Sequence, residues 1–228
     1  MVSQNEITPV RIKFSKTGDL MYISHLDLSR TMQRIMLRAG IDIWYSEGFN
    51  PQPKIVFAVP LPVGVESECE LMDIKINSPM PLNEIKERIQ SNFPLEMKVL
   101  DVYEPTQKFK NIGYIDYTIR LYVNSSKNGL CEKIEELFKK ECNITKKTKS
   151  GEKEINISDY INFVKAVDKK DCIEINAILC ADSERYLNPE LFIEAIKQNL
   201  NIMTGNGIEE YSTIYRNKML DFDLKEFV

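Results

Sequence analysis

Apolar and charged residues alternate over residues 10–14 (VRIKF), the two-residue period of a half-buried strand. After the Gly18-Asp19 turn, residues 20–23 extend or re-enter that strand. Ser24 then opens a helix, with Ser24 and Asp27 standing as a capping-box-like S-x-x-D. Leu28, Met32, Ile35, Met36 and Ala39 recur at helical spacing on one face, and Gly40 is the natural stop. Strand patterns come next at 41–45 (IDIWY), 54–59, 71–76 and 97–103, with a helix at 82–92. The loop 46–53 and its flanking strands read as an elaborated hairpin.

The order β, α, β, β, α, β predicts a sheet with helices on one face, the ferredoxin-like split βαβ plan. Residues 104–111 read as a linker, and the pattern then repeats. Strands are expected at 114–123, 154–157, 172–179 and 212–222, with helices at 130–142 and 188–200. Asn188 is the N-cap of the last helix and Pro189 its first residue. The expected class is therefore α+β: two tandem ferredoxin-like (βαββαβ) domains with antiparallel sheets, residues 1–105 and 106–228.

Charge narrows the partners. Thirty basic against 34 acidic residues leave a net charge of −4, which argues against a generic nucleic-acid coat. Between residues 10 and 54, however, seven basic residues (Arg11, Lys13, Lys16, Arg30, Arg34, Arg38, Lys54) face four acidic ones, a local +3. Lys146, Lys147, Lys149 and Lys153 form a second basic run, either a solvated hairpin tip or a phosphate contact. No apolar run approaches a membrane span, and residues 1–9 carry no secretory pattern. A cytoplasmic protein with no membrane partner is expected. The five cysteines include no CxxC and read as reduced core filler. With one histidine and no clustered ligands, neither a zinc site nor an iron–sulfur cluster is expected, and the chain is read as carrying no cofactor or metal of its own.

Two stretches carry candidate chemistry. Arg30, Arg34 and Arg38 lie one turn apart, opposite the apolar face of the first helix. They are either ordinary solvent-facing residues or a guanidinium row able to follow a polyanion. His25 begins this helix, where the positive end of the dipole favours the neutral imidazole. It is a backbone or Asp27 partner, a binding group, or a general acid/base. The second stretch is Tyr45-Ser46-Glu47-Gly48-Phe49-Asn50-Pro51-Gln52-Pro53-Lys54. Gly48 permits positive φ, and Pro51 and Pro53 stiffen the second half of the loop. Phe49 either plugs the loop's own core or presents its ring, with Trp44 and Tyr45 near Lys54, for stacking on bases beside a phosphate.

The run Phe14-Ser15-Lys16, Gly18, Tyr22-Ile23-Ser24-His25-Leu26-Asp27-Leu28, Arg30, Arg34, Ala39-Gly40, Tyr45-Ser46, Gly48-Phe49-Asn50-Pro51, Pro53-Lys54-Ile55, Phe57-Ala58, Pro60-Leu61 and Gly64 resembles the bacterial radical-SAM-linked protein family. The similarity is dense over residues 10–75; beyond them, residues 155–160 and Arg216 resemble family features more loosely. Members are domains of unknown function fused to, or encoded beside, a radical SAM protein with a cobalamin-binding-like domain. Genes for RNA processing and ribosomes often lie nearby. Where that family's helix is richer in arginine, this chain has Ile35-Met36-Leu37 before Arg38. The tandem ferredoxin-like endonucleases that cut CRISPR repeat RNA are similar at the level of fold alone.

The resemblance implies a stand-alone partner of a radical SAM enzyme and no known reaction. Joined to the residues above, it gives the expected function: a non-catalytic accessory module that binds an anionic substrate, RNA foremost, through the first domain. The expected binding residues are His25, Asp27, Arg30, Arg34, Tyr45, Ser46, Gly48, Phe49, Asn50 and Lys54. The alternatives are a metal-independent endoribonuclease or RNA-modifying enzyme using His25, and a protein–protein adaptor of the radical SAM partner.

Overall fold

A computed structural model describes residues 7–124, 128–148, 151–205 and 209–228, and at 146–148, 152 and 153 the backbone alone. Those residues form an α+β protein with four α-helices and a multistranded sheet. The chain divides into two compact units, the first closing with Phe109 and the second running from Lys110 to Phe227.

In the first unit the elements are β1 (Thr8–Lys16), α1 (His25–Arg38), β2 (Ile55–Phe57), β3 (Val65–Ile76), α2 (Leu82–Gln90) and β4 (Val99–Tyr103). The strands lie in the order β4-β1-β3-β2, each antiparallel to its neighbours. Alternation along β1 and β3 sends Val10, Ile12, Phe14, Met72, Ile74 and Ile76 into one core. Leu28, Met32, Ile35 and Met36 of α1 and Ile85 and Ile89 of α2 complete it. The start of α1 is fixed by Ser24, whose Oγ accepts the Asp27 N–H at 3.1 Å. Behind the sheet, buried Arg11 donates to both carboxylate oxygens of Asp73 at 2.7 and 2.9 Å and to the Gln107 carbonyl at 2.8 Å. Its guanidinium also lies over the Phe109 ring, so one side chain ties residues 107–109 to β1.

Two expectations fail here. Residues 20–23 are not strand: Gly18–Tyr22 is a 3-10 turn, with Gly18 at φ +58°. Leu20 and Ile23, three apart, both pack on the core, which a turn allows and a strand does not. Nor do residues 41–45 form a strand of their own. Ile43 makes an isolated bridge to Ile76 and Trp44 donates its N–H to the Lys75 carbonyl, so this segment continues the outer edge of β3.

The second unit contains β5 (Ile112–Tyr122), α3 (Leu130–Leu137), β6 (Asn143–Thr148), β7 (Gly151–Asn156), β8 (Ile161–Asp168), β9 (Ile173–Cys180), α4 (Pro189–Leu200) and β10 (Tyr211–Asp221). Its strands run β10-β5-β9-β8, again antiparallel, and β6 and β7 form a separate hairpin. α3 ends at Leu137 rather than near residue 142, and its C-cap Phe138 stacks on Phe192 at 4.4 Å. β8 is a strand where none was expected. Its Phe163 and Val167 are exposed, which blurs the apolar alternation that marks a strand. As the edge strand it is protected: Glu135 accepts the Ala166 N–H at 3.0 Å and pairs with Lys165. In the lysine-rich hairpin Lys146 sits opposite Lys153, and Lys149 lies outside the described residues.

None of the five cysteines is in a disulfide, and all but Cys131 are buried. Among the described residues no cluster of three or more His, Cys, Asp or Glu is arranged to hold a metal ion, and no helix is long and apolar enough to cross a membrane.

Candidate binding surface

Register defines the central feature. Ile43 sits opposite Ile76, and Ile55 opposite Ile74. Twelve residues pass on the outer strand while two pass on β3, so ten residues, 45–54, are extruded from the edge. The extrusion is itself a hairpin. At its base Lys54 donates its N–H to the Trp44 carbonyl and Tyr45 bridges Pro53. One step out, Ser46 N–H donates to the Gln52 carbonyl, and Gln52 N–H returns to Ser46 Oγ at 3.0 Å. Gly48 turns the tip at φ +127°, a conformation that side-chain-bearing residues rarely adopt. Asn50 Oδ1 accepts from the Gln52 amide, and Phe49 is fully exposed.

The ring of Phe49 therefore does not plug a core of its own. Trp44 stays half-buried at the base with Lys75 Nζ 5.5 Å from its ring centre. Tyr45 and Phe49 are the exposed aromatics, and Lys54, next after Pro53 in the returning arm, is exposed on the opposite face of the hairpin from Tyr45.

α1 flanks this hairpin and β2. Tyr45 and Pro53 share a groove with Gln33 and Leu37, while four residues on, the Phe57 ring stands edge-on to the His25 ring at 5.0 Å. Eight helical residues from 25 to 33 span about 12 Å, and four extended residues from 53 to 57 about 13 Å. The two segments thus run side by side. Lys54 and Val56 alternate with Ile55 and Phe57, which pack on the core, and so take the other face of the sheet. The surface beside α1 is bordered by Tyr45 and Pro53.

On that surface α1 presents Arg30 and Arg34. Arg30 lies 3.8 Å from Asp27, with both side chains about 60% exposed, a screened contact of little strength. Asp27 also accepts the Ser24 hydroxyl at 2.7 Å, so its role is at the cap. Arg38 leans away to the Asn92 carbonyl. His25 is exposed and its contact is the Phe57 ring; neither ring nitrogen has a hydrogen-bond partner among the described residues. Of the expected residues, His25 lies beside Phe57 and Tyr45 shares the groove with Gln33 and Leu37, while Asp27, Arg30 and Arg34 are exposed on α1, Phe49 stands on the hairpin tip and Lys54 takes the face away from α1. Sequence reasoning missed Leu26 and Leu37, which are 58% and 76% exposed on the same face as the arginines. The helical spacing that places Arg30 and Arg34 outward places them there too.

The fold and this surface define an α+β protein with an aromatic-tipped hairpin beside a helix that carries arginines. The chain belongs to the family described as "Uncharacterized protein conserved in bacteria (DUF2344)", whose model matches residues 10–189. No curated protein matches it. Among solved structures, one chain of a Cbf5-Nop10-Gar1 complex is similar at 7% identity and a TM-score of 0.48 over 92% of this chain, which spans 48% of that one. An unknown protein from Galdieria sulphuraria is similar at 6% identity and a TM-score of 0.27, and a glycine cleavage system transcriptional repressor at 14% and 0.25. Each of these two is matched over 92% of this chain and 99% of its own. At such scores these likenesses bear on neither mechanism nor partner.

Proposed function

We propose that this protein is a non-catalytic accessory module of a radical SAM protein with a cobalamin-binding-like domain, and that its first unit binds RNA and presents it to that partner. The observation that carries the RNA reading is Phe49, fully exposed on a hairpin whose base is closed by backbone hydrogen bonds. A large aromatic held out in water is a stacking platform, and Arg30 and Arg34, exposed on α1, supply positive charge. The partner comes from the motif of residues 14–64, which resembles that of radical-SAM-linked proteins. Each unit is read as a ferredoxin-like domain. The strand orders β4-β1-β3-β2 and β10-β5-β9-β8 support this, with β6–β7 as an addition to the second.

Fluorescence anisotropy with a labelled single-stranded RNA tests the reading. Binding at low salt that weakens about tenfold in Phe49→Ala is expected. Absence of binding at low salt overturns it. The RNA is expected to stay intact in EDTA; discrete cleavage lost in His25→Ala would make the protein a nuclease instead.

Leu26 and Leu37, exposed at the two ends of the outer face of α1 about 16 Å apart, support a second reading, a protein–protein adaptor that spans the helix. Retention of the radical SAM partner by wild type and its loss in a Leu26→Ser, Leu37→Ser double variant, with no RNA bound by either, would select it.

A further inference from the structure

Beside the hairpin base, α1 and the chain after it enclose a groove of about 250 Å³, lined by Gln33, Leu37, Asp42, Tyr45 and Pro53 among others. This is below the roughly 300 Å³ at which drug-sized sites begin, and suits one flat ring. Leu37 and Pro53 give apolar contact, and Tyr45 adds an aromatic face. Two polar side chains line the same space with capacity to spare. Asp42 Oδ1 accepts from Asn77 Nδ2 at 2.9 Å, which leaves Oδ2 open. The Gln33 amide has no hydrogen-bond partner among the described residues. One acceptor that cannot donate and one amide that does both match the edge of a nucleobase whose face rests on the Tyr45 ring. Arg34, the next residue of α1, is exposed and outside the groove's lining.

Two other grooves among the described residues lack this combination. Along α2, Lys86 and Gln90 are spent on the Leu100 carbonyl and the Val99 N–H, and no aromatic lines the space. Between α3 and β8 the lining carries Glu132 and Asp168 and again no aromatic.

We propose that the Gln33–Tyr45 groove is a base subsite: it takes one unstacked base of a single-stranded RNA, flat against Tyr45, with its donor edge on Asp42. The inference rests on the RNA-binding reading and adds to it a preference for unpaired strands, since a base inside a duplex cannot enter. Protein binding is measured by anisotropy against a labelled eight-nucleotide RNA and against the same strand in a duplex. In Tyr45→Ala, single-strand affinity is expected to fall about tenfold while duplex affinity holds. Tyr45→Phe, which keeps the ring, is expected to stay within about twofold of wild type. Tyr45 is half exposed, so both variants should fold, which unchanged thermal melts would verify. RNA binding that Tyr45→Ala leaves untouched overturns the base subsite and spares the RNA-binding reading. No binding of either RNA by wild type overturns both.

Discussion

Lys54 donates its backbone N–H to the Trp44 carbonyl at 2.9 Å across ten residues of chain. That bond closes the extruded hairpin at the point where the edge of β3 resumes, and it separates two roles. The base residues belong to the sheet, whereas the tip residues belong to the surface and contribute nothing to the core.

Phe49→Ala is accordingly expected to leave stability within about 0.5 kcal/mol of wild type. A urea melt checks this. That result would leave the ring free for the partner the RNA reading gives it; a loss above about 2 kcal/mol would mean that Phe49 packs, and would remove the basis of the RNA reading.

Gly48→Ala separates shape from chemistry. At φ +127° a Cβ is strained even though it would meet no atom within 4 Å. A cost of about 1–3 kcal/mol is expected, confined to the hairpin. It should therefore appear in hydrogen exchange of the Ser46 and Gln52 amides more than in the global melt. Unchanged exchange at both amides would show that the tip turns without needing glycine.

Glu135 gives the second unit a pH signature. The Ala166 N–H it accepts, and then Lys165, hold its carboxyl below the ordinary range. The folded state thus binds this proton less readily than the unfolded chain. Its contribution is full above the unfolded value of about 4.3 and is lost as pH falls through the lower folded value. The difference in Tm between wild type and Glu135→Gln should be positive at pH 7 and shrink steadily below about pH 4. A difference independent of pH would assign the effect to packing.

Thiol reactivity should single out one cysteine. Cys131 is the least buried, yet burial, then Asp168 and Glu132, push its thiol up. Burial does the same at Cys142 and Cys180. With iodoacetamide at pH 7, slow labelling of Cys131 alone is expected in the native protein, and of all five cysteines in denaturant. Rapid native labelling at Cys69 or Cys180 would contradict the packing described.

Much of the first unit is legible in sequence because α1 announces itself three times: a Ser24 cap, an apolar face and Gly40. All five residues assigned to its buried face are buried. The arginines and the unusual loop could be found by the same means. Register is the property that pattern could not show. Residues 41–45 and 54–59 read as the two arms of a hairpin, yet 43–44 and β2 succeed one another along a single edge of β3. Alternation reports which face a residue takes and never which partner it meets. β8 escaped for a different reason: an edge strand with Phe163 and Val167 outward lacks the one-sided apolar signal. Leu26 and Leu37 are legible on the helix face, but single apolar residues among the arginines give no signal of their own until the fold shows both exposed.

The salt dependence of RNA binding tests the central claim most directly. If the α1–hairpin face binds a polyanion, the affinity of wild type for single-stranded RNA should fall linearly on log–log axes between about 50 and 200 mM salt. Arg30→Ala with Arg34→Ala should reduce that slope by about 1.4, or roughly 0.7 for each phosphate contact removed. A wild-type protein that binds no RNA at about 50 mM salt, or a double variant with the same affinity and slope as wild type, would contradict the assignment of this face to RNA.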